Sequence, residues 1–172
     1  MGPDILSRAR AVRLAIFDVD GVLTDGTVWI GPEGESFKAF NILDGHGIKM
    51  LQAAGIDTAI LSGRESRAVE RRAGELAIRH VVQGAGDKLA AFERLLSDAG
   101  CRAEACSFMG DDLPDLAVLR RCGFAVAVAN AVDAVKEAAH YVTRASGGRG
   151  AVREFCDLVL AARAQLDTVR AV

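Results

Sequence analysis

Five short, largely apolar runs recur along the chain: Leu14–Phe17, Thr58–Leu61, His80–Gln83, Ser107–Met109 and Phe124–Val128. Runs this short and this apolar suit strands buried on both faces, the condition of a parallel sheet covered by helices. The stretches between them, Gly47–Ala54, Glu65–Leu76, Lys88–Ala99, Pro114–Arg121 and Ala131–Ala138, carry helical spacing. In the third of these, Leu89, Phe92, Leu95 and Leu96 recur at three and four and mark one apolar face. The alternation predicts a three-layer α/β sandwich around a central parallel sheet. One segment breaks it. Thr27–Ile30 and Ser36–Phe40 are β-like and flank GPEGE, so a small hairpin is expected as an insertion after the first strand, over about residues 24–41. A long closing helix, Ala151–Val169, follows the glycine-rich SGGRG. With no linker, repeat or low-complexity tract, residues 1–172 read as a single domain, long enough to bury a core.

Charge and cysteines narrow the partners. A net charge of −2 gives no electrostatic reason to expect nucleic acid or an anionic membrane. Cys101, Cys106, Cys122 and Cys156 have neither CxxC pairing nor zinc-ligand spacing, and read as idle thiols of a reducing cytosol. No apolar run approaches the ~18 residues of a membrane span, and the opening MGPDILSRARAV has no secretory leader pattern. The expectation is a cytoplasmic protein.

Two of the apolar runs end in clusters of acids. After Phe17 come Asp18 and Asp20, two apart, with Gly21 behind them. After Met109 and Gly110 come Asp111, Asp112 and Asp115. Carboxylates at the end of a buried strand are costly unless something cationic meets them, and strand carboxyl ends are where open α/β sheets hold ligands. Two such clusters on neighbouring strands call for a hard divalent cation with oxygen ligands, as magnesium prefers. Positive charge and donors come from Ser62-Gly63-Arg64, ending another strand at a helix start, and from Lys88, opening the helix after GAGD. Taken singly, Ser62 reads as a helix cap and Lys88 as a surface lysine; in this order with both acid clusters they read as a phosphate site.

The ordered set DxD, serine, lysine and paired acids resembles the haloacid dehalogenase superfamily, over nearly the whole chain. The resemblance implies a Rossmann-like fold in which Asp18 is the nucleophile that becomes an aspartyl phosphate. Asp20 is by the same resemblance the general acid and then the base. It also implies that Asp18, the backbone carbonyl of Asp20, and Asp111 hold Mg²⁺, with Asp112 and Asp115 in support, while Ser62 and Lys88 bind the phosphoryl group. Superfamily members with an acid two residues past the nucleophile are phosphatases or phosphotransferases, which favours ester hydrolysis over dehalogenation.

Within that superfamily, FDVDGVLTDG, KAFNILDGHGIKML, LSGR, GDK, GDDLPD and SGGRGAVREFCDLVL are similar to the 3-deoxy-D-manno-octulosonate 8-phosphate phosphatase family, which serves lipopolysaccharide synthesis. That similarity implies substrate contacts from Asp20, Asn41, Ile42, Leu43, Asp44, Gly45, Lys49, Arg64, Arg72 and Lys88, with both arginines suited to a carboxylate. Lys49 stands where arginine is also found, and Ala77 where glycine is expected. A phosphatase for another 2-keto-3-deoxy sugar acid, such as a nonulosonate 9-phosphate, and a non-catalytic assembly domain are the competing readings. His46, His80 and His140 lack metal-ligand spacing and read as surface or packing residues.

The spacing from Asp18 to Ser62 leaves room for one hairpin and one helix, and from Ser62 to Lys88 for one helix and one strand. No cap domain fits. An uncapped site would be wet, and a hairpin carrying Val28, Trp29, Ile30, Phe37 and Phe40 is too apolar to stand free. A homotetramer, as the resembling family implies, would answer both by packing hairpins together and covering each site with a neighbour.

Overall fold

The computed structural model describes the backbone of residues 3–170 and the side chains of residues 4–34 and 37–164. In chain order, helix α1 (Pro3–Ala11) leads into β1 (Leu14–Phe17), the hairpin β2 (Trp29–Gly31) and β3 (Gly34–Phe37), and α2 (Ile42–Ala53). Then come β4 (Asp57–Leu61), α3 (Arg67–Glu75), β5 (His80–Val82), α4 (Lys88–Ala99) and β6 (Cys106–Gly110). The chain closes with α5 (Leu116–Leu119), β7 (Phe124–Ala127), α6 (Asp133–Ala138), β8 (Tyr141–Val142) and α7 (Ala151–Arg170). All five predicted strands pair in parallel in one six-stranded sheet of order β5-β4-β1-β6-β7-β8. From β1 the chain builds outward to β4 and β5, then crosses back to β6, β7 and β8. The two directions diverge beside β1, the topological switch point at which such sheets bind ligands.

Every residue of β1, β6 and β7 is buried, as their unbroken apolar character requires. Phe155 of α7 packs edge-on to Phe17 and against Phe124, with ring centroids 5.9 and 6.1 Å apart, and so clamps one face of the sheet. Helices α1 and α2 both pack on α7, while α4 meets α5 and α5 meets α6.

Three elements differ from the sequence reading. Helix α1 was not expected, although Ile5, Leu6 and Ala9 share a helical face, Asp4 sits in its first turn, and Arg8 and Arg10 in its last. Arg10 Nε donates to the carbonyl of Ala162 at 3.0 Å and so ties α1 to α7. Helix α2 begins at Ile42 rather than Gly47, because Asn41 caps it by accepting from the Leu43 N–H at 2.8 Å. The edge strand β8 is only two residues long, too short to leave a pattern. Ala77, where glycine was expected, has φ +53°, the left-handed conformation for which glycine is suited.

The hairpin lies outside the main sheet. A register shift between Trp29 and Ile30 bends it, and Trp29 stacks on Phe37 at 5.2 Å with both rings largely exposed. Among the described residues no helix is long and apolar enough to cross a membrane.

Candidate active site

At the end of β1, Asp18 donates its N–H to the Met109 carbonyl at 3.0 Å, which locks the strand end against β6. The chain then enters an irregular helical turn, Val19–Leu23, knotted by buried Thr24. The Thr24 Oγ1 accepts from the N–H groups of Gly21 and Gly26 at 3.3 and 3.2 Å and donates to the Val19 carbonyl at 3.3 Å. Gly21 has φ +91°, and a Cβ there would lie 2.0 Å from Asp111 Oδ2. The glycine after the acid pair is therefore needed twice, for its backbone angle and for the approach of the second acid cluster.

Lys88 is the central cation. Its Nζ lies 3.0 Å from Asp18 Oδ1 and 2.7 Å from Asp115 Oδ1, with the ammonium nearly enclosed. Asp115 is committed elsewhere too, since its Oδ2 accepts from the N–H groups of Asp111 and Asp112 at 2.9 and 3.2 Å. Asp112 turns to the Leu113 N–H and caps the short turn that follows. One oxygen each from Asp18, Asp111 and Asp115 lies within 4.8 Å of the others.

Burial and the nearby Asp115 push Asp18 up to about 7, with Lys88 opposing them. Burial also pushes Asp111 up to about 7, helped by Asp18, Asp115 and Asp112. Burial works against the charge of Lys88, but Asp18 and Asp115 outweigh it and hold its pKa above the ordinary lysine value. Three acids facing one lysine leave negative charge in excess, and every available ligand atom is a hard oxygen. That donor set fits Mg²⁺.

Ser62, at the buried end of β4, is fixed by its N–H to the Val82 carbonyl at 2.9 Å and by its own carbonyl, which accepts from Ala85 at 3.1 Å. Asp18, Asp20, Ser62, Gly63, Arg64, Lys88, Asp111, Asp112 and Asp115 all line one cavity of about 310 Å³. The remaining residues expected at the substrate do not line it. Asn41 caps α2 and donates to the Gly148 carbonyl at 3.3 Å. Ile42, Leu43 and Lys49 are exposed on α2. Asp44 is buried and accepts from the N–H groups of Gly150 and Arg153 at 3.3 and 2.8 Å. Gly45 lies against the guanidinium of Arg72, which also pairs with Glu75 at 3.2 Å. The SGGRG loop packs behind the Val19–Leu23 turn: Gly148 N–H donates to the Val22 carbonyl at 2.9 Å, and a Cβ on Gly147 would overlap the Gly21 carbonyl.

Sequence reasoning missed Lys38. A lysine in an exposed hairpin arm looks like an edge-protecting charge, yet its side chain is 1% exposed and its ammonium meets Asp20 Oδ1. Arg64 Nε reaches the other oxygen of Asp20 at 3.6 Å. The signal lay in the alternation of the arm, which turns apolar Phe37 outward and the next residue inward.

Comparison with known proteins identifies the family to which the chain is similar. Residues 78–155 match the haloacid dehalogenase-like hydrolase family. The chain is 48% identical over 164 residues to 3-deoxy-D-manno-octulosonate 8-phosphate phosphatase KdsC of Yersinia pestis, covering 95% of this chain and 88% of that protein. The crystal structure of the Yersinia pestis phosphatase superposes with a TM-score of 0.93 at 47% identity, over 97% of this chain and 90% of that one. The Moraxella catarrhalis enzyme, in complex with magnesium ion, phosphate ion and KDO, superposes with a TM-score of 0.92 at 41% identity, over 99% and 98%.

Proposed function

Because the chain belongs to the 3-deoxy-D-manno-octulosonate 8-phosphate phosphatase family of haloacid dehalogenase-like hydrolases, we propose that it hydrolyses this sugar-acid phosphate in a Mg²⁺-dependent reaction for lipopolysaccharide synthesis. The observation that carries the reading is the gathering of Asp18, Asp20, Ser62, Lys88 and Asp111 around one cavity at the carboxyl ends of β1, β4 and β6. Residues 1–172 act in this reading as one hydrolase domain with a hairpin insertion and no cap.

An oxygen of Asp18 attacks phosphorus, and the bond from phosphorus to the sugar oxygen breaks. Asp20 gives its proton to the departing alkoxide, then takes one from the water that attacks the aspartyl phosphate. Phosphate leaves and both carboxyl groups return to their starting state. Lys88 steers the carboxylate of Asp18 and, with Ser62, holds the phosphoryl oxygens. Asp18, the Asp20 carbonyl and Asp111 would hold the Mg²⁺, which when bound would offset the charge gathering on the phosphoryl group. Asp115 fixes Lys88 and the backbone of the Asp111 turn.

The reading includes a homotetramer, whose neighbouring subunit supplies Asn41, Ile42, Leu43, Lys49 and Arg72 to a cavity they do not reach within their own chain. It also includes a cytoplasmic location, in keeping with free thiols at Cys106, Cys122 and Cys156. Phosphate release with octulosonate 8-phosphate and nonulosonate 9-phosphate side by side tests the assignment. The octulosonate ester is expected to give the higher kcat/KM. A preference for the nine-carbon ester would reassign the substrate, and no release from either would leave an assembly role.

A further inference from the structure

We propose that Lys38 is a positioning residue for catalysis, holding the Asp20 carboxylate from behind the cavity in the orientation from which it exchanges protons; this rests on the acid–base reading of Asp20 above. Three observations carry it. The arm β3 ends by turning Phe37 to solvent, 55% exposed, and burying the lysine that follows. That is the reverse of what apolar burial alone would select. The buried ammonium meets Asp20 Oδ1. Burying a charge is unfavourable unless a partner is fixed beside it, so the pair constrains both side chains. Finally, Asp20 and Arg64 line the cavity and Lys38 does not. Lys38 therefore acts on the carboxylate rather than on the substrate.

Arg64 makes a weaker restraint on the same group. Its side chain is 52% exposed and its Nε stands 3.6 Å from Asp20 Oδ2. With one oxygen anchored by Lys38, rotation of the carboxylate is confined, and its other oxygen stays directed to the cavity side. The anchor also links the hairpin to the chemistry, since any displacement of the β3 arm moves the ammonium.

The test compares single-turnover rates for the sugar-acid phosphate, whose alkoxide needs protonation, with p-nitrophenyl phosphate, whose phenolate needs little. A positioned acid is worth about 10²–10⁴-fold and misplacement costs on the order of 10²-fold. Lys38→Met is therefore expected to lower kcat on the sugar ester by about 10- to 100-fold with little change in KM, and to affect the aryl ester much less. Lys38→Arg should recover part of the rate. In an Asp20→Asn background, Lys38→Met should cost almost nothing more, because the two residues act as a unit. Equal losses on both esters, a raised KM at unchanged kcat, or an undiminished loss in the Asp20→Asn background would overturn the proposal. If Asp20→Asn alone lacks the leaving-group split, the acid–base reading fails and this one with it; if Asp20→Asn has the split and Lys38→Met lacks it, only the role of Lys38 fails. Should Lys38→Met not fold, Lys38→Gln carries the same expectation, and failure of both to fold would assign Lys38 to the fold and overturn the proposal.

Discussion

Asp18 and Asp111, each pushed up to about 7 by burial first and by neighbouring acids second, make the site sensitive to pH in a definite direction. Between the ordinary carboxylate range and about 7 the folded chain holds protons that the unfolded chain has released. The stability of the metal-free protein should fall as pH rises through that window. Mg²⁺ competes with those same protons, so its stabilising effect should grow with pH. Thermal melts with and without Mg²⁺ are expected to show a larger shift at about pH 8 than at about pH 6, and Asp111→Asn should remove most of it. Equal shifts at both pH values would mean that these carboxylates do not receive the ion. Asp18→Asn should abolish turnover while the fold survives, since an amide keeps the shape and loses the nucleophile; turnover within tenfold of the parent would end the covalent route. The acids, Ser62 and Lys88 were legible in the sequence because each ends an apolar run or opens a helix. Lys38 was not, because its partner Asp20 is 18 residues away and only the tertiary turn of the hairpin brings them together.

Asp44 shows an element held by a residue from another element. Its carboxylate, 1% exposed on α2, accepts from Gly150 and Arg153 and so caps the first turn of α7 from outside. Burial raises its pKa against those N–H groups. Since α7 carries Phe155 onto the sheet and its preceding loop packs on Gly21, the cap reaches both the core and the turn that follows Asp18. Asp44→Ala is expected to lower stability by about 1–3 kcal/mol, the cost of orphaning buried donors, readable by denaturant unfolding. A raised KM with unchanged stability would instead make Asp44 a substrate contact, as family resemblance implied. The central strands could be read because β1, β6 and β7 are apolar and buried throughout, and α4 because its apolar residues recur on one face. The cap could not, since 106 residues separate Asp44 from Gly150. The short helix α1 leaves little periodic signal, because Ile5, Leu6 and Ala9 are interrupted by Ser7 and Arg8 within nine residues.

At the scale of the whole molecule, a single chain leaves two things exposed that belong covered. Trp29, Ile30 and Phe37 are 51%, 77% and 55% exposed on the hairpin, and Ile42 and Leu43 at the start of α2 are 79% and 54% exposed. Monomers seldom present large side chains grouped in this way, and a two-stranded ribbon gains little stability alone. The cavity, meanwhile, has no lid among the described residues, although hydrolysis through an aspartyl phosphate gains from excluding bulk water. A closed assembly would answer both at once if the hairpins buried each other and a neighbouring α2 surface were brought over each site. Sedimentation at micromolar concentration is expected to give a four-subunit species. Trp29→Glu and Phe37→Glu should dissociate it by burying charge in the contact. Their kcat/KM on the sugar-acid phosphate should fall well below that of the parent, while p-nitrophenyl phosphate, which has no carboxylate to be met by Arg72, should lose less. A monomer retaining full activity on the sugar ester would show that each site is complete within one chain.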